Sequence, residues 1–175
     1  MNKTTKVLSF AFAMFALVGL VTFPTTAHAN YDEGCTPGFW KANAKKNNAD
    51  QWPSPITPDT KLSEFAASNA MMTSSVSLTQ GMSSGVDLDN TSFIDALKFK
   101  GGPDLEGKER ILLRAAAAGI LNAESSSVAY PYVTYGFIHQ TNLKLATDDL
   151  GFITYSAELV DRANNLGCPL NNSGK

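Results

Sequence analysis

Leu105-Glu106-Gly107-Lys108-Glu109-Arg110-Ile111-Leu112-Leu113-Arg114-Ala115-Ala116-Ala117-Ala118-Gly119-Ile120-Leu121-Asn122-Ala123 is the stretch that decides the fold. Asp104, Glu106 and Glu109 crowd its start, strong helix formers follow, and Leu112, Ala115, Ala116, Gly119, Ile120 and Ala123 recur at helical spacing. A helix over 105–123 is predicted. Ala115, Gly119 and Ala123 fall every fourth residue, so one face is smooth enough for a close neighbour. A helical glycine costs about 1 kcal/mol, which close packing has to offset.

Working outward to the C-terminus, Tyr130-Pro131-Tyr132 reads as a turn. A helix is predicted from Thr134 to about Ala146, with Phe137, Ile138, Thr141 and Leu145 on one side. Asp148 or Asp149 caps a further helix to about Asn165, with Phe152, Tyr155, Leu159 and Ala163 inward, and Leu166-Gly167 before Pro169 stops it.

Toward the N-terminus, Ser92-Phe93-Ile94-Asp95 has a capping-box pattern that opens a short helix to about Phe99, ended by Gly101-Gly102-Pro103. Thr57-Pro58-Asp59 is a helix-start signal and predicts a helix from Pro58 or Leu62 to about Met72. Residues 73–90, rich in Ser, Thr and Gly, read as a surface loop with at most a short strand at Val76–Leu78. Residues 30–60 hold Pro37, Pro53, Pro55 and Pro58 but also Phe39, Trp40, Trp52 and Ile56. Disordered linkers are poor in aromatics, so this is a folded, proline-braced loop. The expected architecture is mainly α, about five helices with an irregular proline- and aromatic-rich N-terminal loop, and no internal repeat.

Residues 1–29 read as a signal peptide. Lys3 and Lys6 precede an apolar run from Val7 to Phe23, and Ala27-His28-Ala29 is a small-x-small cleavage site. The run is at the short edge of what crosses about 30 Å of hydrocarbon, so it is read as cleaved rather than kept as an anchor. That leaves a single mainly helical domain over 30–175, ordered over about 33–170, soluble and either secreted or periplasmic. Twelve basic side chains then face 16 acidic ones, a net charge of −4. With its arginines scattered at 110, 114 and 162, the chain has no basic footprint for nucleic acid. Asn90-Thr91-Ser92 and Asn171-Asn172-Ser173 are glycosylation sequons that matter only in a host that uses them.

The chain has two cysteines, Cys35 and Cys168. An even count in an exported chain argues for a disulfide, and two cysteines allow one pairing. That bond joins the ends of the domain and, in the chain-entropy view, stabilises it by about 5 kcal/mol.

Cys35-Thr36-Pro37-Gly38-Phe39-Trp40-Lys41, Trp52-Pro53, Thr57-Pro58-Asp59, Leu121-Asn122-Ala123, Tyr130-Pro131-Tyr132 and Asn164-Asn165-Leu166-Gly167-Cys168-Pro169-Leu170 together resemble a family of secreted prokaryotic proteins. Its members open on C-T-P-G-[FY]-W-K and close on N-N-x-G-C-P-L. The resemblance spans nearly the whole mature chain. It implies a surface- or matrix-associated module and brings no activity with it.

Candidate chemistry is sparse. Phe39, Trp40 and Trp52 could stack a sugar ring or a small apolar ligand, or could be the core of their own loop. Gly81-Met82-Ser83-Ser84-Gly85 matches a hydrolase nucleophile elbow, with Asp95 or Asp104 and His139 in triad order. It lacks the preceding buried strand and following helix. His139 is the sole histidine after cleavage, and zinc needs several His or Cys ligands, so it reads as a helix-surface residue. Asp87-Leu88-Asp89-Asn90 offers oxygen ligands without the glycine and distal glutamate of an EF-hand, and reads as a solvated turn. Glu109, Glu158 and Asp161 are expected in surface ion pairs; paired carboxylates could serve a polysaccharide hydrolase, but no pair stands out. The reading that results is a secreted, non-catalytic structural or interaction domain without metal or cofactor. Its partner would be a cell-surface or matrix component or a glycan, and its alternative role a ligand-binding module built on Phe39, Trp40 and Trp52.

Overall fold

The computed structural model describes residues 31–45, 51–69, 74–78 and 86–172. In chain order these form α1 (Pro37–Ala42), an antiparallel hairpin of β1 (Ala66–Asn69) and β2 (Ser74–Ser77), α2 (Phe93–Ala96), α3 (Leu105–Glu124), α4 (Thr134–Leu145), α5 (Leu150–Asn164) and a closing 3-10 turn at Pro169–Asn172. Among the described residues the fold is mainly α, with five helices and the disulfide between its ends.

α3 is the axis. Asp104 caps it by accepting the Gly107 amide at 3.0 Å. Its second half is buried on every side: Ala115, Ala116, Ala117, Ala118, Ile120 and Leu121 are all within 2 % of full burial. A helix apolar all round belongs inside a domain, and α3 is accordingly packed by α1, α2, α4 and α5. The small-residue face performs as expected. A Cβ on Gly119 would lie 2.7 Å from Phe137 Cζ and 3.0 Å from the Tyr130 hydroxyl. The neighbour that needs the space is therefore an aromatic of α4, not a second backbone.

α4 buries Phe137, Ile138, Thr141 and Leu145, the face predicted for it. Asp149 caps α5 through the Phe152 amide at 2.8 Å. Ser92 Oγ accepts the Asp95 amide and donates to the Asp95 carboxylate at 2.6 Å, so the cap of α2 and the acid three residues on hold one another. The ends meet beside α5. Cys35 and Cys168, 133 residues apart in sequence, are disulfide-bonded, and Gly34 donates its amide to the Gly167 carbonyl at 2.9 Å. A Cβ on Gly34 would sit 2.0 Å from the Ala163 carbonyl oxygen, so only glycine allows this approach.

Two expectations are corrected. Of the helix predicted over 58–72, residues 58–65 form turns and a bridge, and 66–69 form β1. The backbone there bonds across rather than along the chain: Leu62 N–H to Thr91 O, Phe93 N–H to Thr60 O and Ile94 N–H to Pro58 O. Phe65 and Ala67 are buried with Ala66 exposed between them, a period of two that marks a strand. β2 then extends the short strand expected at 76–78 back to Ser74. The N-terminal loop, read as irregular, contains α1, capped by Thr36 with Pro37 at its first position. No helix among the described residues is long and apolar enough to cross a membrane.

Candidate functional site

The aromatic loop is part of the core. Trp40 is fully buried, Trp52 is 6 % exposed and Phe39 is half-buried. The rings meet edge to face, Phe39 with Trp40 at 5.2 Å and Trp40 with Trp52 at 6.2 Å between centroids. Of the three candidate stacking residues, Trp40 and Trp52 are thus closed off from solvent and Phe39 alone is partly exposed. The cause is a bonded centre beneath them. Asn122 Oδ1 accepts from the Cys35 amide at 2.9 Å and from Trp40 Nε1 at 3.1 Å, while its Nδ2 donates to the Cys35 carbonyl and to Asn164 Oδ1. Asn164 Nδ2 donates to the Ala115 carbonyl, and the Tyr130 hydroxyl donates to Asn164 Oδ1 at 2.8 Å. Burial pushes the Tyr130 phenol well above the ordinary range, and neighbouring Tyr132 adds to the shift. A buried polar network with every member bonded specifies one arrangement of its elements, here the N-terminal segment against α3 and α5.

The remaining sequence candidates do not converge. Ser83 lies outside the described residues. Asp87 turns its carboxylate onto the Asp89 amide and the Asn90 side chain, and the Asn90 bond holds it below the usual carboxylate range. It closes a turn. Glu158 and Asp161 are exposed as expected, but Glu109 is wholly buried, a correction that follows from its place on the same face as Leu112, Leu113 and Ala116. On the same stretch Glu106 pairs with Arg110 at the surface. Among the described residues no group of three or more His, Cys, Asp or Glu could hold a metal ion.

One feature does converge. α4 and α5 each pack on α3 more extensively than on one another, and the gap between them is a groove of about 570 Å³. Leu112 of α3 contributes to its floor. Gly136, Phe137, His139, Gln140, Thr141 and Lys144 line it from α4, Ser156, Leu159 and Val160 from α5, and Pro131, Tyr132 and Val133 at its end. Local sequence explains its apolar character. Thr141 and Ser156 donate their hydroxyls to the carbonyls of Phe137 and Phe152, four residues back, so neither polar group needs the groove. Tyr132 stacks on Phe137 with centroids 5.9 Å apart, yet stays 41 % exposed, and Val133 is 77 % exposed. Lys144 holds its Nζ 3.6 Å over the Phe152 ring centroid.

Comparison with protein-family models, curated proteins and solved structures returns no match. The groove is therefore read from its own chemistry.

The sequence reading missed it, although a signal was present. α5 carries two apolar stripes, Phe152-Tyr155-Leu159 and Ile153-Ala157-Val160, and one helix face cannot bury both. Helical spacing predicts the first inward together with Ala163, and Ala163 is indeed buried. In the fold the second packs inward, while Phe152 is 39 % and Tyr155 55 % exposed. Of the exposed stripe Leu159 lines the groove, beside Val160 of the inward one.

Proposed function

We propose that this chain is an exported, non-catalytic binding domain whose contact surface is the groove between α4 and α5. The observation that carries the reading is the groove's make-up: a concave, mostly apolar cleft with few polar groups at its edge, of the size that binds small molecules. Export is supported by the signal-like residues 1–29 and by the Cys35–Cys168 bond, which belongs to oxidising compartments. Binding rather than turnover is supported by the hydroxyls of Thr141 and Ser156, which are engaged with the helix carbonyls of Phe137 and Phe152. The resemblance to secreted surface modules points the same way and adds no substrate.

Saturation-transfer NMR against a panel of oligosaccharides and small apolar compounds tests this. Apolar compounds should receive saturation from the wild type and lose it with Val133→Glu. Oligosaccharide binding that survives that substitution would move the site elsewhere, and hydrolysis of any glycan would restore the enzyme reading.

A further inference from the structure

We infer that the groove takes an anionic amphiphile, its apolar body lying along Leu112, Phe137 and Val160 and its charged end at Lys144. The inference rests on the groove being the binding surface and adds the ligand's charge. Among the described residues Lys144 is the one Lys, Arg, Asp or Glu in the lining, which includes no carboxylate. Among the described residues Lys144 makes no ion pair, although the chain as a whole is acidic. The Asp149 carboxylate, which caps α5, accepts the Phe152 amide at 2.8 Å. The Phe152 ring beneath Nζ holds the ammonium in place by cation–π attraction and leaves its N–H groups for an incoming anion. Gln140 and His139 stand exposed on the same wall and add polar atoms at that edge, not in the apolar floor. A single apolar chain suits an open groove between two helices, and about 570 Å³ falls within the range of small-ligand sites.

Calorimetric titration of decanoate, decanol and decylammonium into the disulfide-bonded protein separates the two claims. Decanoate should bind about tenfold tighter than decanol, as a charge-assisted bond implies, and decylammonium weakest. Lys144→Met should remove that preference while decanol binding persists, and Lys144→Arg should restore it. Equal binding of all three, unaffected by Lys144→Met, overturns the anionic assignment and leaves the groove reading standing. No binding by any of the three overturns both. Sedimentation of the same samples completes the test, because a dimer broken by Val133→Glu would hand the groove to a second copy of the chain and overturn the inference.

Discussion

The aromatic N-terminal segment and the α4–α5 groove are both rich in large apolar side chains, and they behave in opposite ways. Around Trp40 every face is covered, and Asn122 satisfies the amide and carbonyl of Cys35 and the indole N–H together. Around Tyr132 and Val133 the apolar surface is open, and the hydroxyls of Thr141 and Ser156 are turned onto helix carbonyls. Aromatic content alone therefore does not locate a binding surface. What separates the regions is whether the polar groups beneath the rings are bonded to one another or kept at a rim. The first arrangement fixes the chain and the second leaves room for a guest.

The sharpest way to break this comparison is to damage the closed region. Replacing Cys35 and Cys168 together by Ser should lower unfolding free energy by about 2–5 kcal/mol, measured by urea denaturation, with groove binding retained wherever the protein is folded. A loss below about 1 kcal/mol would mean that the Asn122 network holds the ends unaided. Asn122→Ala strands the Cys35 amide, the Cys35 carbonyl and the Trp40 indole. At about 1–3 kcal/mol for each orphaned buried group, partly relieved by entering water, the net expectation is about 3 kcal/mol. Trp fluorescence would shift red as the indoles become wet.

A smaller effect concerns pH. Burial raises the Tyr130 phenol above its ordinary value of 10.0, so the unfolded chain releases this proton before the folded one does. The stabilisation is complete below pH 10 and falls as pH rises beyond it, at a slope approaching about 1.4 kcal/mol per pH unit. Tyr130→Phe, though less stable at neutral pH for want of its bond to Asn164, should lack this part of the alkaline decline. Parallel alkaline profiles for the two proteins would contradict it. The smallest effect on stability belongs to the groove. Val133→Glu changes a side chain 77 % exposed and should move unfolding free energy by less than about 0.5 kcal/mol while abolishing apolar ligand binding.

Much of this fold is legible in the residues. α3, α4 and α5 announce themselves through caps and helical spacing, and the disulfide is foreshadowed by the even cysteine count behind a signal-like N-terminus. The hairpin does not, because Thr57-Pro58-Asp59 is a sound local helix start that loses to hydrogen bonds with residues 91–94, more than thirty positions away. The burial of Trp40 is equally non-local: its partner Asn122 lies 82 residues on. Two helices with apolar residues to spare hint at a groove, but which stripe of α5 turns toward α3 depends on packing that no local pattern records.

The central claim is that the open groove, and not the tryptophan segment, meets the ligand. Amide chemical-shift mapping with decanoate tests it most directly. Perturbations confined to Val133, Gly136, His139, Lys144, Ser156 and their neighbours, with the Trp40 and Trp52 indole signals unmoved, are the expected result. Shifts centred on Phe39, Trp40 and Trp52 would contradict the account.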